Sequence, residues 1–174
     1  GLVEHQPYGA IALTAAGRTL ALSMVRRHRL LETYLARELG YSWDEVHEEA
    51  EQLEHAVSDA FIARMDAKLG HPDRDPHGDP IPGPDGTVEV PAAVRVSELE
   101  PGGRGYIVRI SDDNAELLRY LSHHDVALDM PVTMVGRRPF GGALQVRLGA
   151  GADARELDLG DEAAASLWVS APGG

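Results

Sequence analysis

Apolar and polar positions divide the chain into two stretches of different period. Leu20, Met24, Leu31 and Leu35 recur at helical spacing. Thr14 is placed to cap this helix and Gly40 to stop it, so the pattern predicts a helix from Thr14 to about Leu39. Ser42 and Glu45 form a capping-box pair ahead of a second stripe, Val46, Ala50, Leu53, Val57 and Phe61. This predicts one helix from Trp43 to about Leu69, ended by Gly70 and Pro72. Beyond Val90 the period falls to two. Val94 and Val96, Tyr106–Ile110, Val132–Val135 and Leu144–Leu148 read as strands. Gly102-Gly103 and Gly141-Gly142 read as turns, and Ala115–Ser122 as a short helix. Several short strands of this kind predict a small barrel. At the start, residues 1–13 suggest a hairpin with Pro7, Tyr8 and Gly9 as its turn and Ile11 and Leu13 in a strand. A lone hairpin is marginal in water and should pack on something. The fold class is therefore α+β and multidomain: a hairpin, a helical part, then a small β-barrel.

The stretch between the two periods, residues 70–86, carries prolines at 72, 76, 80, 82 and 84, which predicts a stiff, extended linker. The opening Gly-Leu-Val-Glu-His reads as the middle of a longer polypeptide.

Composition narrows the chemistry. Apolar residues are 43% and charged residues 25%, a globular profile. The net charge of −12 argues against gripping a phosphate backbone by bulk electrostatics. The absence of cysteine excludes disulfides, thiolate metal sites and cysteine nucleophiles. No apolar run approaches the roughly 20 residues of a helical membrane span.

What remains is carboxylate and imidazole. His47, Glu51, Glu54 and His55 fall on one face of a helix, as do His28 and Glu32 on the preceding one. Two helices joined by a short turn pack antiparallel, so the two faces can meet. Oxygen and imidazole nitrogen donors suit Mn²⁺, Fe²⁺ or Zn²⁺. A face rich in Glu and His is also what a solvated helix surface looks like. The spacing is not that of a zincin, and it lacks the repeated Glu-x-x-His of a di-iron bundle, although two hairpins in a dimer could imitate one. Asp75 and His77 add two donors around a rigid proline. Asp112 and Asp113 precede the short helix, where an Asp is usually a cap. Arg26, Arg27 and Arg29 form a basic cluster expected to pair with nearby acids.

Four runs, in this order, carry a resemblance: Leu13-Thr14-Ala15-Ala16-Gly17-Arg18, Arg27-His28-Arg29-Leu30-Leu31-Glu32, Val46-His47-Glu48-Glu49-Ala50-Glu51-Gln52-Leu53-Glu54-His55, and Pro76-His77-Gly78-Asp79-Pro80-Ile81-Pro82. They resemble the diphtheria-toxin-repressor family of metal-dependent transcriptional regulators. The stretch from Val96 to Leu167-Trp168-Val169 is similar to the SH3-like, FeoA-type module that ends many of them.

The resemblance implies a domain plan. Residues 1–13 would be the remnant wing of a winged helix-turn-helix and residues 14–70 a helical metal-binding and dimerisation domain. Residues 71–90 would be a linker and residues 91–171 the SH3-like domain. The reading helix and one metal ligand would precede Gly1.

It also implies two metal sites per subunit. The activating site would use His28, Glu51, Glu54 and His55. The second would use Glu32, His47, Asp75 and His77, with Asp112 or Asp113 from the SH3-like domain. Iron-type members have Cys at the position of Glu51, and a carboxylate there favours Mn²⁺ over softer ions, with Fe²⁺ the other candidate. Iron-type members also hold an anion near the positions of Arg29, Asp75 and Asp79, and two acids there argue against an anion in this chain. The implied protein is a cytoplasmic homodimer that binds operator DNA, with no membrane and no small-molecule substrate, and it is not an enzyme. The alternative is a dimetal carboxylate/histidine enzyme on a dimeric helical bundle.

Overall fold

The computed structural model describes residues 1–5 and 11–170. The chain forms two compact units, Gly1–Glu89 and Val90–Gly174.

The first unit opens with an antiparallel pair, β1 (Val3–His5) and β2 (Ile11–Leu13), in register Val3 to Leu13. The turn expected at Pro7, Tyr8 and Gly9 lies outside the described residues. The hairpin packs on the start of α1 (Ala15–Leu39). Thr14 does two things there. Its side chain accepts a hydrogen bond from the Gly17 amide, capping the helix, and its own amide donates to Leu2 O at 3.0 Å. Gly17 is buried where Leu2 crosses it, and a Cβ at Gly17 would stand 1.9 Å from Leu2 O. Gly17→Ala should therefore undock β1 and cost about 1–3 kcal/mol, as forced overpacking does. Thermal unfolding together with loss of exchange protection at the Thr14 amide would show it. An unchanged midpoint and unchanged protection would refute it.

Gly40 ends α1 as expected, in the left-handed conformation, its amide bonded to Leu35 O. Only half of the capping box forms: Glu45 accepts from the Ser42 amide, but the Ser42 hydroxyl donates to Glu45 and does not cap the helix, which starts at Val46. The single helix expected over Trp43–Leu69 is instead two: α2 (Val46–Glu54) and α3 (Asp59–Lys68). Ser58 breaks it, with extended backbone and a side chain that accepts from the Phe61 amide. The break resets the helical phase. Phe61, expected in the stripe, is 47% exposed, and Ile62 and Met65 enter the core in its place. That core joins Leu30, Leu31 and Leu35 of α1 to Val46 and Ala50 of α2 and to Ile81. Leu20, expected to be buried, is exposed, because the apolar packing begins at Leu30.

Ile81 shows that the proline-rich stretch is not an extended linker. Residues 73–81 form a compact turn, closed by the Ile81 amide on Asp73 O at 2.8 Å and by the Asp75 amide on Asp79 O at 3.0 Å. Gly78 takes φ 89 at its tip, a conformation that favours glycine. Local hydrogen bonds bend a segment whose prolines alone would have extended it.

The second unit is an antiparallel sheet of six strands in the order β3-β8-β4-β5-β6-β7. These are β3 (Val94–Arg95), β4 (Arg104–Ile110), β5 (Pro131–Arg137), β6 (Leu144–Leu148), β7 (Arg155–Leu159) and β8 (Leu167–Ser170). Helix α4 (Ala115–His123) follows β4, and a short α5 (Asp161–Ala165) precedes β8. Among the described residues β3 and β7 are the edges, so strand pairing does not close the expected barrel. The reason is local: β3 is two residues long and runs directly into a 3₁₀ turn at Val96–Glu98. Strand β7 escapes the period-two pattern because charge dominates Arg155-Glu-Leu-Asp-Leu159, where Leu159 alone is buried.

Candidate metal centre

Helix α1 presents His28 and Glu32 one turn apart, and α2 packs against it. Glu32 is only 1% exposed. A buried carboxylate needs partners, and the neighbouring histidines supply them. His28 Nε2 lies 3.0 Å from Glu32 Oε1, and His47 Nδ1 lies 3.3 Å from the same oxygen. The two imidazoles meet edge to face, with His28 Nε2 3.2 Å from His47 Nδ1. The other nitrogen of His28, Nδ1, lies 2.8 Å from Glu54 Oε2. Glu54 Oε1 in turn lies 3.2 Å from His55 Nε2, and Glu51 lies 3.5 Å from His47 Nε2. All four residues predicted for the activating site thus sit along one chain of contacts whose centre is His28. Its outer members are open to solvent, His55 at 74% and Glu51 at 64% side-chain exposure.

The proline-rich turn brings a second group to Glu32. Donor atoms of Glu32, Asp75 and His77 lie within 4.8 Å of one another, and all three residues are buried. Asp75 Oδ1 is occupied by the amides of His77 and Asp79, at 2.9 and 3.0 Å. His77 Nε2 donates to Trp43 O at 2.7 Å, which leaves Nδ1 as the lone-pair nitrogen. Among the described residues, Nδ1 of His77 is a buried polar atom without a hydrogen-bond partner. Such an atom is costly to bury unless something binds it. His28, Glu32 and His47 also gather within 4.8 Å, so Glu32 belongs to both three-residue groups.

Electrostatics follow from this crowding. Burial pulls His28 down, but hydrogen bonds and charge from Glu32 and Glu54 outweigh it and lift the imidazole to about 9. Burial pushes the Glu32 carboxyl up, but His28, with His77 and His47, holds it below the ordinary value. Burial, with the Glu32 and Asp79 charges beside it, pushes Asp75 up to about 7. Packed carboxylates and a lone-pair imidazole nitrogen are what a hard divalent cation requires.

Arg29 braces the turn, with Nη2 on Asp79 Oδ1 at 2.9 Å and Nε 3.6 Å from Asp75 Oδ2. Both acids therefore pair with Arg29. Arg26 and Arg27 pair with Asp66 and Asp59, as their composition predicted. Asp112 and Asp113 belong to the second unit, on the loop between β4 and α4. Neither is the helix cap. Asn114 has that role, and Asp113 accepts from Ser111 Oγ at 2.7 Å. The donor groups of the first unit are composed without them. Sequence reasoning missed the Trp43 carbonyl that orients His77, since a backbone atom leaves no trace in residue identity.

Comparison with known proteins identifies both parts of the chain. Residues 14–83 match a family described as iron dependent repressor, metal binding and dimerisation domain, and residues 94–171 match the FeoA domain. The iron-dependent repressor IdeR of Mycobacterium leprae (strain TN) is 37% identical over 109 residues, covering 59% of this chain and 47% of its own. The matched part thus spans about half the length of such curated relatives. A structure titled as a manganese-dependent transcriptional repressor in complex with manganese is 52% identical, with a TM-score of 0.90. The match covers 98% of this chain and 78% of that one. A structure of ScaR with bound Cd²⁺ is 30% identical, with a TM-score of 0.79, covering 98% of this chain and 78% of that one. Two matched domains in the same order, and a relative at 52% identity over nearly the whole chain, show that the chain belongs to the diphtheria-toxin-repressor family of metal-dependent transcriptional regulators.

Proposed function

We propose that this chain is the metal-sensing and dimerising part of a Mn²⁺- or Fe²⁺-dependent repressor of metal-homeostasis genes. One observation carries it: the partnerless Nδ1 of buried His77, beside the carboxylates of Glu32 and Asp75. When bound, a divalent cation supplies the positive charge that lets these carboxylates stay ionised together. The residues do the rest. Glu32 ties α1 to the proline-rich turn, Asp75 offers its Oδ2, and Arg29 holds the turn against the helix.

A second group, His28 with Glu51, Glu54 and His55, makes two sites per subunit. Carboxylates at 51 and 75 favour Mn²⁺ over softer ions. The hairpin β1–β2 is the wing of a DNA-reading head, and the complete protein binds operator DNA as a homodimer in the cytoplasm. The dimerisation description of the matched family supports the two-fold partner. No helix among the described residues is long and apolar enough to cross a membrane.

Anaerobic calorimetric titration with Mn²⁺ and Fe²⁺, beside a Glu51→Ala/His55→Ala variant, tests the metal part. Two classes of binding are expected in the parent and one in the variant. No binding in the parent would overturn the proposal. Asp112→Ala and Asp113→Ala in the same titration test the part that family resemblance gives to that loop. Steady oxygen consumption with Fe²⁺ would favour the dimetal enzyme instead, since a regulator binds without turnover. For DNA, a polypeptide that includes the reading head should retard a palindromic operator only when Mn²⁺ is present.

A further inference from the structure

His28 has two nitrogens and two carboxylate neighbours, and the contacts decide how they are shared. Nδ1 faces Glu54 at 2.8 Å, while Nε2 faces Glu32 at 3.0 Å and His47 at 3.2 Å. Two arrangements are available to a cation. In one, Nδ1 joins Glu51, Glu54 and His55, and Nε2–H donates to Glu32. In the other, Nε2 joins Glu32 and His47, and Nδ1–H donates to Glu54.

Charge separates them. In the first arrangement each of two cations meets two carboxylates, Glu51 with Glu54 and Glu32 with Asp75, and both groups come out neutral. In the second, Glu32 alone faces a doubly charged ion, beside His28 and the half-exposed His47. Asp75 and the partnerless His77 nitrogen are then left without the carboxylate that completes their group. Uncompensated charge in a buried site is expensive.

We infer that Glu32 works for both groups: it is a ligand beside Asp75 and His77, and it positions His28 so that Nδ1 is the nitrogen offered to the Glu51, Glu54 and His55 group. A metal-bound imidazole is generally oriented by a carboxylate on its other nitrogen. Here that carboxylate belongs to the neighbouring site. Filling the Asp75 and His77 group fixes Glu32, and a fixed Glu32 holds His28 ready, so the two sites load with positive coupling.

The inference rests on the proposed two-site function, and the experiment separates the two. The 174-residue chain, labelled with ¹⁵N-histidine, is titrated with Cd²⁺ as a diamagnetic probe and followed by long-range ¹H–¹⁵N spectra. His28 should show a ligated Nδ1 and a protonated Nε2. Glu32→Gln should lose the Asp75 and His77 group and also weaken Cd²⁺ at the Glu54 and His55 group, by roughly 10–100-fold. Asp75→Asn should lose the first and weaken the second by less than Glu32→Gln does, because Asp75 makes no contact with His28 and only the coupling is lost. Circular dichroism melts confirm that each variant is folded. A ligated Nε2 on His28 in the parent would overturn the inference, and that readout needs no variant. Equal affinity of Glu32→Gln and Asp75→Asn at the Glu54 and His55 group would overturn it while leaving two sites standing. No Cd²⁺ at His28 and His55 in the parent would overturn the two-site function itself.

Discussion

His77→Ala removes one class of Mn²⁺ binding and leaves the other. The imidazole is 0% exposed, its Nε2 is fixed on Trp43 O, and its Nδ1 points at no other partner among the described residues. Loss of even an outer-shell partner typically costs about 10–100-fold in metal affinity, and His77 is proposed as a direct ligand, so its loss should exceed that. The remaining pair, Glu32 and Asp75, cannot hold a hard ion tightly with two oxygens in a group that needs more. Calorimetry of the variant should show one class of sites where the parent shows two, still sensitive to Glu54→Ala. The fold should survive, because the turn is closed by backbone bonds and by Arg29 on Asp79. If His77→Ala still binds Mn²⁺ in two classes, the buried group is not a metal site.

The second large effect is on pH. His28 is lifted to about 9, so its contribution to stability is complete below its ordinary value of 6.5 and disappears as pH rises through 9. Asp75 is raised from 3.8 to about 7. The folded chain keeps a proton that the unfolded chain releases, so stability from this group falls from about pH 4 to pH 7 and is level above. Both slopes have the same sign. The metal-free protein should melt at a progressively lower temperature as pH rises from 5 to 9.

Metal binding runs the other way, since ligands must be deprotonated. Below pH 7 a cation at each site must displace both the Asp75 and the His28 proton. Between 7 and 9 only that on His28 remains. Mn²⁺ affinity should climb by up to about tenfold per pH unit for each proton displaced. The rise in melting temperature on adding Mn²⁺ should therefore be small at pH 6 and large at pH 8. Titrations in buffers of different ionisation enthalpy count the protons. A metal-induced shift independent of pH would contradict the charge assignment of both residues.

Several features were legible without coordinates. Thr14 and Gly40 bound α1 because a cap and a left-handed stop are local events, satisfied within a few residues. Strands β4, β5 and β6 followed from alternation, which a half-buried sheet imposes on its own sequence. His28 with Glu32, and His47 with Glu51, could be paired from helical spacing. Three features were not. The break at Ser58 is invisible in apolar content, because the stripe continues through it and only the cap hydrogen bond shows the phase change. Hydrogen bonds within residues 73–81 fold the segment back on itself, and proline content alone gives the opposite expectation. Strand β7 is hidden by its charges.

Residue identity alone sets the donor chemistry: no thiolate, and a set of carboxylates and imidazoles placed at helical intervals. It sets the order of the parts and the family to which they belong. Tertiary structure decided how those donors are shared. Glu32 stands in both groups, His28 faces a different carboxylate with each nitrogen, and His77 is turned by a backbone carbonyl so that its free nitrogen looks inward. Periodicity places residues on a face of one helix, but ligation depends on single atoms brought from separate elements to within about 3 Å, and only packing sets that.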